Sequence, residues 1–292
     1  MNNDLLELVA CPLCKTKVQF EAEKQTIICS QCGEAYPIIE GVPEMFEAGK
    51  RPTVPLTDGM FQGVGGLKSR VRGHRRLYSL LKFLLLPDPV LNRSKQQIPE
   101  LIQRLGPSAV ILELGSGSRR LAPQVINLDV RRLPLVDILG VGESLPFLSD
   151  RFEAVIAQAV LEHVSDPYKV VAEIRRVLKP SGYAFIEIPF MQGFHASPWD
   201  YQRFTMPGLR VLFADFEIER IGISGGASSA LAWILKEWLS LLFSFGSQMI
   251  YQILGFVFGW LLVPIKFIDV LLNRYPQSAV IASSYFLLAR KR

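Results

Sequence analysis

Four cysteines stand in two pairs near the start of the chain, Cys11-Pro12-Leu13-Cys14 and Cys29-Ser30-Gln31-Cys32, with fourteen residues between the pairs. Each pair sits on a tight turn that can aim two thiolates at one ion, and four thiolates satisfy tetrahedral Zn²⁺. Such a set leaves no open coordination position, so Cys11, Cys14, Cys29 and Cys32 are expected to hold a structural zinc. The segment is too short to build much core, and the metal would supply its folding free energy. A second chemical signal is Val110-Ile111-Leu112-Glu113-Leu114-Gly115-Ser116-Gly117, with Asp129 twelve residues past the last glycine. It reads as a buried strand, a Gly-rich turn and a second strand tipped by a carboxylate. Glycines at 115 and 117 let a ligand approach the backbone closely. A carboxylate at the next strand's tip stands where a ribose diol needs an acceptor.

These groups need a scaffold, and the chain is long enough for one. Its 292 residues allow a full α/β domain with additions. A net charge of +5 leans towards anionic partners, lipid headgroups or nucleic acid. The mean hydropathy of +0.25 is high for a soluble protein, and the excess is local. The start, Met1 to Glu7, has neither a basic region nor an apolar core, so no secretory signal is expected, and without export a metal site reads better than disulfides.

Residues 1–46 read as the ribbon, and 47–107 as a linker with a basic helical stretch at 67–86 that carries Lys68, Arg70, Arg72, Arg75, Arg76 and Lys82. Strands are expected at 109–114, 125–129, 136–141, 152–157, 183–188, 216–222 and 283–290, and a helix at 166–178. Lys179-Pro180-Ser181-Gly182 reads as that helix's stop. The strand–helix alternation predicts a Rossmann-like, doubly wound seven-stranded sheet of the α/β class. Its body would span 108–228, with an apolar insertion at 229–278 and the last strand in 279–292.

The ordered segments Glu113-Leu114-Gly115-Ser116-Gly117, Asp129, Glu143-Ser144-Leu145-Pro146-Phe147, Phe152-Glu153-Ala154-Val155, Val160-Leu161-Glu162-His163-Val164 and Arg176-Val177-Leu178-Lys179-Pro180-Ser181-Gly182 resemble a class I S-adenosylmethionine-dependent methyltransferase, of the type 11 kind. The cysteine unit, with its Tyr36-Pro37-Ile38 and Gly41-Val42-Pro43 tail, resembles the small zinc ribbon that in some proteins activates RNA and protein methyltransferases. The resemblance implies that Glu113, Gly115, Ser116 and Gly117 face the methionine end of the cofactor. Asp129 would take the ribose hydroxyls, Val141, Gly142 and Glu143 would flank the adenine, and Gln158 would lie beneath the sulfonium. A sulfonium cofactor carries no phosphate, so the third glycine of a dinucleotide loop is dispensable; a dehydrogenase would want it.

Two departures stand out. Residues 118–124 can form barely a helical turn, interrupted by Pro123, so the pocket should be open on that side or covered by 67–86. Some O-methyltransferases of quinone biosynthesis place a metal-binding Glu three residues before a Glu-His pair. Here that position is Ala159, which leaves Glu162 and His163 with a structural role.

The loop from Pro189 to Thr205 leaves the carboxyl end of a strand, where open α/β sheets bind ligands. It holds His195, Asp200, Tyr201 and Arg203 among aromatics, and resembles loops of methyltransferases encoded alongside glycan and lipopolysaccharide assembly genes. His195 is the candidate general base; alternatively Asp200 and Arg203 pair to hold the loop, and His195 caps it. Further on, Trp238 to Ile265 gives 28 consecutive residues without a formal charge. Because both flanking strands belong to one sheet, the chain must return to its side of departure. Helices at 229–245 and 248–273 are expected, broken at Gly246-Ser247, as a hairpin lying in one leaflet with Trp233, Trp238, Tyr251 and Trp260 as anchors. The alternatives are docking on the protein itself or an oligomer interface.

The expectation is therefore a methyltransferase using S-adenosylmethionine and structural zinc. It would be cytoplasmic, peripheral or monotopic on the inner membrane face, and act on a lipid-linked or glycan-type acceptor. The other readings are an RNA methyltransferase gripping phosphates through the ribbon and Arg70–Arg76, and a cofactor-binding adaptor without activity.

Overall fold

The computed structural model describes residues 3–47, 49, 94–195 and 199–292. The basic stretch 67–86, and with it the expected cover over the turn, lies outside the described residues. Seven strands form one sheet: β5 (Ile111–Leu114), β6 (Val125–Asp129), β7 (Ile138–Leu139), β8 (Phe152–Gln158), β9 (Leu178–Pro189), β10 (Phe216–Gly225) and β11 (Ser284–Lys291). Their spatial order is β10-β11-β9-β8-β5-β6-β7, with only β11 antiparallel to its neighbours. The central strands β5 and β8 are mostly apolar and buried on both faces, as parallel strands under two layers must be. The strand between β7 and the crossover helix follows the expected places closely; β7 itself is two residues long rather than the six expected.

The helix Pro167–Val177 is started by Asp166, whose side chain accepts from the Lys169 amide, and by proline in its first turn. Its expected stop is a bulge instead. β9 begins at Leu178, Ser181 takes φ 65°, and pairing with β8 shifts register between Phe152 and Ala154. Gly182 is required there, because a Cβ would lie 2.9 Å from the Lys179 carbonyl oxygen.

No helix joins β5 to its parallel neighbour β6. Residues 115–124 cross in irregular chain pinned by side chains. Asn127 Nδ2 donates to the Arg119 and Leu135 carbonyls at 2.7 and 2.9 Å, and Arg120 Nη2 reaches Asp137 Oδ1 at 2.8 Å. Polar side chains thus satisfy backbone that a helix would otherwise have satisfied internally.

Four short strands, β1 (Val18–Glu21), β2 (Thr26–Cys29), β3 (Ala35–Ile39) and β4 (Val42–Pro43), make the antiparallel ribbon. It is welded to the sheet's β7 edge. Glu44 bridges Leu139, the Met45 amide donates to the Leu139 carbonyl at 2.8 Å, and Arg132 Nη2 pairs with Glu44 at 2.8 Å. An exposed strand edge is thereby covered. Val9, Ile27, Tyr36 and Met45 share one buried cluster with Leu128, Leu145 and Phe147.

At the other end, β10 runs into the helix Ala227–Ser244, and Gln248–Leu261 follows. The break falls where expected, with Phe245 and Gly246 at positive φ. The second helix is shorter than expected. It stops at Leu261, and Pro264 opens a tighter 3₁₀ turn over Val263–Ile268, because proline cannot extend the preceding helix. Asp269, fully buried, returns to cap the first helix: its carboxylate accepts from the Ser228 and Ser229 amides at 2.6 and 3.0 Å. Gly226 is needed for this contact, since its Cβ would lie 2.3 Å from Asp269 Cγ.

Candidate functional site

The turn after β5 is shaped by two glycines at positive φ. Gly115 (φ +68°) passes so close to Val160 that a Cβ would lie 2.5 Å from its methyl. The amides of Gly115 and Ser116 both donate to the Leu128 carbonyl, at 2.8 and 3.2 Å, and the Gly117 amide donates to Asp129 Oδ2 at 2.9 Å. The turn's N–H groups are thus already used. It offers a ligand close backbone approach rather than an anion cradle, which suits a cofactor without phosphate. Asp129 Oδ1 accepts from the Arg131 amide at 2.9 Å, which fixes the carboxylate at the tip of β6.

Glu113 is buried on β5, and its partner is Arg119 from the helixless crossing. Nε and Nη2 of Arg119 reach Glu113 Oε1 at 3.0 and 2.8 Å, and Nη2 also reaches Gln158 Oε1 at 2.7 Å. Burial pushes the Glu113 carboxyl above its ordinary range, and Arg119 pulls it only partly back. The other oxygen, Oε2, is buried without a hydrogen bond among the described residues. It is a place for a donor such as an ammonium group. Gln158 in turn donates to Glu187 Oε2 at 2.7 Å. Glu187 was missed in the sequence, although one acid inside the apolar run Ala184-Phe185-Ile186-Glu187-Ile188 is the signal that could have found it. Val141, Gly142 and Glu143 lie at a 3₁₀ turn beyond β7, where Gly142 packs against Val170 and Leu114.

That turn is where the ribbon touches the site. Ser144 Oγ donates to the Pro12 carbonyl at 2.7 Å, and Lys15 Nζ reaches Ser144 Oγ at 3.1 Å and Glu173 Oε2 at 2.8 Å. Burial would raise the Glu173 carboxyl, but Arg176 and Lys15 override it and hold it below its usual value. The four sulfurs of Cys11, Cys14, Cys29 and Cys32 converge, with neighbours 3.6 to 3.7 Å apart. A tetrahedron with Zn–S of about 2.3 Å has sulfurs about 3.8 Å apart, so the cluster fits zinc.

The loop after β9 folds back over the segment that follows β8. The Tyr201 amide donates to the Glu162 carbonyl at 2.7 Å, and Gln202 Nε2 to the Leu161 and Val164 carbonyls, each at 3.0 Å. Asp200 binds Arg203 and accepts from the His195 amide at 2.9 Å, so the expected pairing that holds the loop is present. His195 does not stand alone. It meets Glu162 and His163, with Nε2 of each imidazole 3.7 Å from Glu162 Oε1. Trp233 of the first apolar helix packs on His195, ring centroids 6.2 Å apart. Since β10 runs parallel to β9, β8 and β5, the insertion and the Gly115 turn leave from the same, carboxyl end of these strands.

Residues 2–41 match the family model for Trm112p-like proteins, and residues 107–186 the model for a methyltransferase domain. A UPF0434 protein of Vibrio atlanticus is 46% identical over 59 residues, covering 20% of this chain and 98% of the relative. One from Cupriavidus metallidurans is 46% identical over 55 residues, 19% of this chain and 80% of the relative. Among solved structures, the Haemonchus contortus phosphoethanolamine N-methyltransferase 2 bound to S-adenosyl-L-methionine shows 18% identity and a TM-score of 0.43, covering 67% of this chain and 52% of that one. A chain from the Haloferax volcanii complex of the Trm112 methyltransferase activator with a methyltransferase shows 13% identity and a TM-score of 0.42, covering 76% and 96%. Structural likenesses this weak say nothing of substrate. Over one fifth of its length the chain belongs to the family of the UPF0434 proteins, and it carries a methyltransferase domain at residues 107–186.

Proposed function

We propose that the chain transfers the methyl group of S-adenosylmethionine to a lipid-linked or glycan-type hydroxyl presented at a membrane surface. The observation that carries the membrane part is an inverted helix pair. In the helices Ala227–Ser244 and Gln248–Leu261 the buried positions beyond the first turn are Ala232, Ser240, Ser244 and Gly259. The large apolar side chains point outward instead, with Leu241, Phe245 and Met249 exposed at 67%, 89% and 69%. Small residues between helices and Leu, Phe and Trp outside is the arrangement of helices solvated by lipid. No single described helix is long and apolar enough to cross a membrane; one pair, Gln248–Leu261 with Val263–Leu272, passes together but is bent by 41°. A hairpin lying in one leaflet fits that geometry better than a span.

For the cofactor, we assign the methionine end to Glu113 and the turn 115–117, the ribose to Asp129, the adenine flank to Val141, Gly142 and Glu143, and the floor beneath the sulfonium to Gln158. The bound cofactor supplies an electrophilic methyl. The chain's residues orient it, and Arg119 must leave its bridge between Glu113 and Gln158, or turn towards the cofactor's carboxylate, to admit it. The amino-terminal ribbon, bonded to 144–146 and to the β7 edge, acts as a built-in activator by holding the adenine flank in place. An RNA acceptor would leave the exposed apolar helices without a use.

Radiolabelled methyl transfer into fractionated lipid, glycan and RNA pools tests the acceptor. Label in the lipid-linked pool is expected, and label in RNA alone would refute the reading.

A further inference from the structure

The three groups at the base of the acceptor loop are arranged in a way that a folded pair of side chains does not explain. Glu162 is fully buried, and neither of its carboxylate oxygens makes a hydrogen bond among the described residues. A buried carboxylate left so is costly unless a cation compensates it. Facing Oε1 at 3.7 Å are two imidazole Nε2 atoms, His163 from the same segment and His195 from the loop after β9, their rings perpendicular and 5.4 Å apart.

The opposite ring nitrogens decide what those Nε2 atoms present. His163 Nδ1 lies against the Trp199 carbonyl, and His195 Nδ1 lies 3.1 Å from the Gly193 carbonyl. A carbonyl only accepts, so each Nδ1 carries a proton, and Nε2 is the ring atom that each histidine presents to Glu162 and to an ion. Arg203 Nη2 also stands 3.3 Å from His195 Nδ1, but it is committed to Asp200 Oδ2 at 2.7 Å. Asp200 Oδ2 itself lies 3.7 Å from that Nδ1 and reinforces the same tautomer. Nδ1 on a backbone carbonyl with Nε2 free is how metal-ligating histidines are held.

We propose that Glu162, His163 and His195 form a second metal site, for a divalent first-row transition ion of the zinc or manganese kind. All three ligand atoms lie within 4.8 Å of one another. Ligands about 2.1 Å from a tetrahedral ion sit about 3.4 Å apart, so each His–Glu162 pair, at 3.7 Å, needs to close by only a few tenths of an ångström. Two histidines and one carboxylate leave at least one position open, unlike the four sulfurs of the ribbon. The absent acid at position 159 is thus replaced from a different part of the chain. Ala159 holds φ 54° at the end of β8, and His195 arrives through the loop's docking on 161–164. The site goes beyond the proposed acceptor, and its test needs neither acceptor nor cofactor.

The experiment is titration of the full chain, carrying one equivalent of Zn²⁺ for the ribbon and no excess, with Mn²⁺, followed by the paramagnetic signal of the free ion. One Mn²⁺ per chain is expected beyond the ribbon's zinc. Affinity should fall about 10- to 100-fold in His195→Asn and in His163→Asn, and further in Glu162→Gln. Cys32→Ser should leave the Mn²⁺ site intact. The two histidine variants, checked by thermal melts, keep the test sound if the Glu162 variant fails to fold. The proposal is overturned if the wild-type chain binds no Mn²⁺, or if it binds with the same affinity in both histidine variants; the cluster would then be an imidazolium–carboxylate pair.

Discussion

Two additions stand at opposite ends of one sheet, and they bury their apolar residues in opposite senses. The ribbon turns Ile27, Tyr36 and Met45 inward, into the cluster that contains Leu128 and Phe147. The helical pair turns Ser240, Ser244 and Gly259 inward and leaves Trp238, Leu241, Phe256 and Trp260 outside. One addition is finished by the protein itself and by a metal. The other leaves much of its apolar surface exposed. The Gly115 turn lies between them; Ser144, next to the 141–143 turn, bonds to the ribbon, and His195 of the loop after β9 packs on Trp233.

The largest expected effect breaks the ribbon side. Chelation, or Cys11→Ser, removes a metal that holds a shared core, so the ribbon and the adenine flank should lose order together. The thermal midpoint should drop on the order of 10 °C, corresponding to a few kcal/mol. A ribbon that melts while the sheet keeps its midpoint would show that the two do not share a core.

Next comes the helical pair. Leu241→Glu with Phe245→Glu should abolish flotation with anionic liposomes and shift the melt by less than about 0.5 kcal/mol per site, because both side chains are exposed. Wild-type protein that stays at the bottom of the gradient would remove the membrane from this account. Asp269→Ala is the internal control on the same element. Losing a buried cap should cost about 2 kcal/mol in denaturant unfolding.

An effect smaller than that of zinc loss sits at the seam of ribbon and sheet. Glu173→Gln weakens the bonds from Lys15, Arg176 and the Leu145 amide, for about 1–2 kcal/mol. The Glu173 carboxyl is held below its unfolded value, so its contribution is present above the unfolded pKa. It is lost as pH falls through the lower, folded one. The variant's deficit should therefore shrink on acidification below about pH 4.

The sheet, the crossover helix and the cysteine cluster were legible in the sequence because each rests on local pattern: apolar runs, an Asp-Pro start, paired cysteines. Even the missing first helix could be counted from the short step between Gly117 and Asp129. What was not legible depends on contacts between distant residues. Lys179-Pro180-Ser181-Gly182 carries stop signals that a bulge in a continuous strand needs as much as a helix end does. The second apolar helix looked long because its residues stay apolar past Pro264, where the backbone geometry changes and the composition does not. His195, Glu162 and His163 come together only once the loop docks on 161–164. Arg119 lies in the helixless crossing, and its bridge between Glu113 and Gln158 depends on how β5 and β8 align.

The central claim is that the Gly115–Gly117 turn and Asp129 hold S-adenosylmethionine. Calorimetry of the zinc-loaded chain with S-adenosylhomocysteine should give one site per chain, weakened tenfold or more (about 1.4 kcal/mol) in Asp129→Ala, with a thermal melt confirming that the variant is folded. No binding by the wild-type chain, or undiminished binding by a folded Asp129→Ala variant, would contradict it.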